Sequence, residues 1–282
     1  MPSRLSRRRL LGLAATLPAY ALLAACGDAA KTAREEQPAP TPTPEPPFVV
    51  AAGEEERLLM AGTPYETPIW IHGSGLPGKV LMVLGGVHGN EPGGWLAAQR
   101  LQESLRPAAG AVLVLPRANR LAINDFVRTT EELGDLNRLY PGDAAGLPMA
   151  QMARQIFETL REFRVGVLVD LHESWAFYKD RPQSGTAFLG QTIASYPAEP
   201  GVSLGRAVVE AVNGRIRHER EELYFRDRSF GGGSSSLGLP RYFNSLAALL
   251  VEMGQQQDLD RRVALHVDVV EEVARRMGVV AA

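Results

Sequence analysis

The strongest constraint on this chain is a change of hydrophobic period between residues 80 and 105. Val80-Leu81-Met82-Val83-Leu84 is apolar at every position, the pattern of a strand buried on both faces. From Pro92 to Leu105 the apolar residues Trp95, Ala98, Leu101 and Leu105 fall on one helical face, and Pro92 suits a first helical turn. Between the two stands Gly85-Gly86-Val87-His88-Gly89-Asn90-Glu91, a glycine-rich strand-to-helix turn.

The same alternation continues to the end of the chain. Further strand candidates are Leu58–Ala61, Ile69–His72, Ala111–Leu115, Val165–Leu171, Ala187–Leu189, Leu223–Phe225 and Leu246–Val251. Helical stripes run over Met149–Phe163, Leu204–Ile216 and Arg261–Met277, and they read as core-facing surfaces. Central strands that are apolar on both faces need helices on both sides, so the expected class is α/β, with a mixed, largely parallel sheet. Strand and helix signals begin near residue 49, which sets the expected domain at 49–282.

Residues 1–26 read as an address. Arg4, Arg7, Arg8 and Arg9 precede an apolar stretch, Leu10 to Ala25, that is short for a membrane span and is interrupted by Pro18. Ser6-Arg7-Arg8-Arg9-Leu10-Leu11 resembles the twin-arginine export signal, and Leu23-Ala24-Ala25-Cys26 resembles the lipobox of bacterial lipoproteins. Cys26 is the only cysteine and has no disulfide partner, which favours the lipobox over an ordinary N-terminal anchor helix with an incidental cysteine. Residues 27–48 carry Pro38, Pro40, Pro42, Pro44, Pro46 and Pro47, a composition that favours extended polyproline II. At ~3.1 Å per residue this tether would reach roughly 60–70 Å. The expected location is therefore the extracytoplasmic face of a bacterial membrane, with Cys26 as the lipid anchor. The net charge of −2, with its basic cluster confined to the N-terminus, argues against a nucleic-acid partner.

His88 and Glu91, three residues apart on one turn, can converge above the sheet edge. By themselves they fit equally a turn that needs glycines and holds two incidental polar residues. A second strand alters that balance: Val165-Gly166-Val167-Leu168-Val169-Asp170-Leu171-His172-Glu173 is apolar until it ends in acids and a histidine. Asp170 and His172 share a face because strand side chains alternate. Ligands in open α/β sheets gather at the carboxyl ends of strands, so His88 and His172 can meet there. Two histidines and one glutamate are the donor set of a catalytic zinc site with an open position, which gives an expectation of one Zn2+ per chain.

His88-Gly-Asn-Glu91, the Asn119…Ala122…Arg128 loop, Asp135-Leu-Asn-Arg138 and Asp170-Leu-His172 together resemble the succinylglutamate desuccinylase/aspartoacylase branch of the zinc carboxypeptidase superfamily, over about Val80 to Glu252. One departure is Arg120, where the family commonly has proline. The resemblance implies that His88, Glu91 and His172 bind zinc and that Asp135 accepts the second ring N–H of His88. It also implies that Arg128 faces a developing oxyanion, that Asn137 and Arg138 hold a substrate carboxylate, and that Glu252 is the general base. Tyr242 is a candidate for the superfamily's mobile active-site tyrosine, and the Gly231–Ser236 stretch for a lid. His72, His218 and His266 lack partners at ligand spacing and read as surface or loop histidines.

The expectation is an exported zinc hydrolase of an amide bond, acting on a small molecule or short peptide with a free carboxylate. N-acyl amino acid deacylase and carboxypeptidase chemistry both fit. The alternatives are a peptidoglycan-peptide carboxypeptidase or amidopeptidase, and a lipoprotein that only binds such a ligand.

Overall fold

The computed structural model describes residues 48–181, 187–226 and 234–281. The signal, the Cys26 lipobox and all but the last residue of the proline-rich tether lie outside those residues. In chain order the strands are β1 (Gly53–Leu59), β2 (Thr67–Gly73), β3 (Val80–Leu84), β4 (Ala111–Leu115), β5 (Val167–Ser174), β6 (Thr192–Ser195), β7 (Tyr224–Arg226) and β8 (Ala247–Gly254). They form one sheet in the order β1-β2-β4-β3-β5-β8-β6-β7. The central strands β4, β3, β5 and β8 are mutually parallel. Antiparallel pairs join β1 to β2, β2 to β4 and β8 to β6, and β7 completes the sheet parallel to β6. The helices are α1 (Pro92–Ser104), α2 (Arg120–Asn124), α3 (Pro148–Glu162), α4 (Gly201–Asn213) and α5 (Leu259–Met277). None of the described helices is long and apolar enough to cross a membrane.

The uniform apolarity of β3 follows from its two faces feeding two cores. Val80, Met82 and Leu84 pack with α3 residues such as Met152 and Ile156. Leu81 and Val83 pack with α1, α4 and α5, through Leu101, Val208, Val269 and Val273. Each such side chain contributes roughly 1.5–3 kcal/mol on burial, so neither face tolerates polarity. Helices therefore cover both faces of the sheet, as the pattern predicts. Gly278, in the left-handed region at φ 70°, closes α5 where a side chain would be strained.

Several expectations are corrected. β1 starts earlier than the predicted Leu58–Ala61, because its first half, with Glu54, Glu55 and Glu56, is exposed on both faces and carries no apolar signal. Ala187–Leu189 is not a strand. The strand nearby is β6, whose buried Thr192 and Ser195 donate their hydroxyls to local carbonyls and so hide its burial from a hydrophobicity reading. β5 and β8 run past their predicted ends, to Ser174 and Gly254. The helix predicted at Leu204–Ile216 spans Gly201–Asn213. His218 is exposed as expected, but His72 and His266 are buried. His72 sits on β2 with Nδ1 3.3 Å from Glu54, and burial holds its pKa below the usual value. His266 lies on the sheet-facing side of α5, and burial pushes its pKa down to about 3, so it is a neutral core residue.

Candidate metal centre and cleft

Parallel strands place their carboxyl ends on one edge of the sheet, and three of them supply this site. His88 and Glu91 follow β3, His172 lies near the end of β5, and Glu252 lies near the end of β8. His172 and Glu252 are direct register partners across the β5–β8 pair, so strand pairing alone sets them side by side. The turn after β3 needs its glycines for close approach. Gly86 has φ +70°, and a Cβ at Gly89 would overlap the carbonyl of Ala122. Asn119 caps α2 by accepting the Ala122 N–H at 3.2 Å, which fixes the loop that presses on this turn.

His88 Nδ1 lies 2.7 Å from Glu91 Oε1, His172 Nδ1 lies 2.9 Å from Glu91 Oε2, and the two Nδ1 atoms are 3.1 Å apart. All three side chains are buried. Among the described residues they are the one group of histidine and acid side chains close enough to hold a metal ion together. The other ring nitrogens face away: His88 Nε2 is 3.2 Å from Asp135 Oδ1, and His172 Nε2 is 3.0 Å from Asp170 Oδ2. Each imidazole thus points one nitrogen inward and sets the other against a carboxylate, an arrangement that fixes tautomer and orientation in metal sites. Burial would raise the pKa of Glu91, yet the two imidazoles hold it well below the usual carboxylate range. Burial would lower that of His172, and Asp170 and Glu91 hold it well above its usual value. Donors of this type at this spacing fit a zinc ion with a position left open.

Asp135 also accepts the Asn137 N–H at 3.0 Å, capping the short turn Leu136–Arg138 and so setting the next two residues. Asn137 Oδ1 accepts the Ser236 N–H at 3.2 Å, which ties the end of the Gly231–Ser236 stretch to the site. Residues 231–233 of that stretch lie outside the described residues. Arg128 spans Glu91, at 3.5 Å, and Asp135, at 3.1 Å, while remaining 45% exposed toward the cleft. The cleft has a volume of about 650 Å³, and His88, Glu91, Arg128, Asp135, Asn137, Arg138, His172 and Glu252 all line it. Burial, with a contribution from the charge of Glu91, pushes the pKa of Glu252 up to about 7 against the opposing pull of the two histidines and Arg128.

Tyr242 is not brought to the cleft; its ring packs edge-on against Phe157 of α3, with centroids 5.7 Å apart. Sequence reading missed Asn90, Glu173, Trp175 and Gln255 as lining residues. Gln255 donates to the Asn90 carbonyl at 2.8 Å and joins the end of β8 to the turn after β3. Trp175 is 63% exposed on the cleft wall. A large aromatic three residues beyond a strand-end histidine was the available signal for it.

Residues 77–178 match the sequence model of the succinylglutamate desuccinylase/aspartoacylase catalytic domain. That segment contains each of the site residues named above except Glu252, Gln255 and those of the Gly231–Ser236 stretch. No curated protein matches the chain in sequence. Among solved structures, the mDAP-bound form of Helicobacter pylori Csd4, a D,L-carboxypeptidase, superposes with a TM-score of 0.62 at 19% identity, over 72% of this chain and 52% of that one. The succinylglutamate desuccinylase/aspartoacylase of Rhodobacter sphaeroides gives a TM-score of 0.61 at 21% identity, over 82% and 67%. The product-bound ectoine utilization protein EutE (DoeB) of Ruegeria pomeroyi gives 0.59 at 17%, over 77% and 62%. The chain spans about half the length of the Csd4 chain it matches. The fold is thus that of the zinc carboxypeptidase-like α/β proteins, and its segment 77–178 is similar to the catalytic domain of succinylglutamate desuccinylases and aspartoacylases.

Proposed function

We propose that this protein is a zinc-dependent hydrolase of an amide bond in a carboxylate-bearing substrate. The observation that carries the reading is the convergence of His88 Nδ1, His172 Nδ1 and the Glu91 carboxylate at the base of a cleft that also holds Glu252. His88, Glu91 and His172 would hold the ion. When bound, zinc supplies Lewis acidity toward water and toward an amide carbonyl. Glu252 takes the proton from the attacking water and passes it to the leaving amine. The Arg128 guanidinium stabilises negative charge as it develops on the carbonyl oxygen. Asn137 and Arg138 bind the substrate carboxylate, for which a planar guanidinium fork is well matched. The similarity of residues 77–178 to a deacylase catalytic domain supports this chemistry.

The carboxylate assignment has a direct test. A matched pair of substrates, free acid and carboxamide, is expected to differ in kcat/KM, with the acid preferred. Arg138→Ala is expected to raise KM and erase that preference, because it removes binding present in ground and transition states alike. Arg128→Ala is expected to act mainly on kcat. Equal kcat/KM for acid and carboxamide in the wild type would sink the assignment.

A second reading of the substrate has its own support. A cleft of about 650 Å³ with the exposed Trp175 on its wall has room for a short peptide. Csd4 in its tripeptide-bound form has a similar fold. A peptidoglycan-peptide carboxypeptidase or amidopeptidase is therefore the alternative to an N-acyl amino acid deacylase.

The reading as an exported lipoprotein rests on the sequence of residues 1–26. Cys26→Ser is expected to move the full chain from the membrane fraction to the soluble fraction and to abolish labelling by a radioactive fatty acid. Unchanged membrane association and labelling would refute the anchor.

A further inference from the structure

One buried ion pair beside the cleft has no part in the chemistry above. The Glu173 side chain has no exposed surface, and Arg262 Nη1 lies 2.7 Å from both of its carboxylate oxygens. Alternation on β5 sends Glu173 to the face opposite His172, toward α1 and α5, where Leu171, Val263 and Leu265 form an apolar core. Burying two charges there is costly, and an apolar pair of similar volume is often as stable. The pair therefore calls for a reason other than stability.

Its neighbours supply one. The backbone N–H of Glu173 donates to Glu91 Oε2 at 2.9 Å, so this residue directly orients a candidate metal ligand. Its carboxylate lies against the backbone N–H of Gly93, in the first turn of α1, where free N–H groups and the helix dipole favour an anion. Glu91 is the residue on which α1 begins, two positions before Gly93. Glu173 thus grips both the side chain of Glu91 and the helix end that carries Glu91, while its own strand carries His172.

The sequence of α1 is adapted to that grip. Glycine is a poor helix former, yet α1 carries Gly93 and Gly94 in its first turn. A Cβ at Gly93 would overlap Glu173 Oε1, and one at Gly94 would lie 2.5 Å from the carbonyl oxygen of Leu171. Both glycines allow the helix end to close onto β5, and the first has room only for the carboxylate.

We propose that the Glu173–Arg262 pair is a positioning element for the metal centre, holding the end of α1 against β5 so that Glu91 and His172 keep the spacing a metal ion requires. The inference rests on the metal-site reading above and concerns a pair whose side chains are buried, at 0% and 11% exposure.

The test uses metal affinity, read by chelator competition on the folded protein. Glu173→Met combined with Arg262→Met removes both charges and leaves no buried ion unpaired, so folding is spared. This variant is expected to bind zinc roughly 10–100-fold more weakly than the wild type and to show a shifted visible spectrum with Co2+. Arg262→Lys, which keeps the ion pair, is expected to retain most of the affinity. A purely structural role would lower Tm and leave the Kd of the folded protein unchanged. Wild-type zinc affinity and an unshifted cobalt spectrum in the double-methionine variant would overturn the proposal. Amide exchange in the zinc-loaded wild type gives a check that needs no variant: the Glu173 N–H is expected to be strongly protected, and rapid exchange there would also overturn it. If the wild type takes up no zinc at all, the metal-site reading fails and this inference fails with it. Zinc binding that is equal in wild type and variant sinks this inference alone.

Discussion

Glu252→Gln is expected to lower kcat by about two to four orders of magnitude while leaving zinc content and ligand affinity nearly unchanged. Glutamine has the shape of glutamate and can still accept a hydrogen bond, but it cannot take a proton from water. Glu252 faces the cleft from β8 in register with His172, and among the described residues no other acid is a strand-pairing partner of that residue. The measurement is a pair: steady-state turnover, and calorimetric binding of a substrate or product to the same variant. Loss of turnover with binding retained separates a hydrolase from a lipoprotein that only captures its ligand. A variant that turns over like the wild type would remove Glu252 from the mechanism.

His88→Ala and His172→Ala are each expected to cost the protein its metal, taking zinc from about one ion per chain to a small fraction. Each change removes one of two inward-facing Nδ1 atoms and leaves one imidazole and one carboxylate, too few donors for a tight site. His172→Ala also leaves Asp170, buried at 1% exposure, without the imidazole 3.0 Å away, so this variant is expected to lose more stability than His88→Ala. Elemental analysis of the purified variants, with Tm measured alongside, checks both parts. Full zinc content in either variant would refute the donor set.

The sequence was most legible where burial and hydrophobicity coincide. β3 and β4 are apolar at each position and have the predicted ends. The reading failed where polar groups are buried with partners. All eight residues of β5 are buried, but the last five include Asp170, His172, Glu173 and Ser174, so the apolar run stopped short of the strand. The polarity that hid the end of the strand is the polarity that forms the site. The convergence of His88, Glu91 and His172 could be anticipated because a turn and a strand end are local features. The Glu173–Arg262 pair could not, since 89 residues separate its partners and neither stands in a spacing that signals the other. His266 read as a surface or loop residue because it lacks a partner at ligand spacing, whereas its own position on α5 is buried.

The distance along the chain between the inward-facing histidines has a consequence for how the molecule unfolds. His88 and His172 are 84 residues apart and meet through two adjacent strands of the central sheet. No short fragment could bind an ion as the folded chain would, so metal bound there would be linked thermodynamically to the integrity of β3, β5 and the elements between them. Metal at about a thousand times its Kd would add roughly 4 kcal/mol to the free energy of unfolding. Chelation would then lower the melting temperature of the whole transition, rather than releasing one loop, and the ion would act as a reporter of a completed sheet.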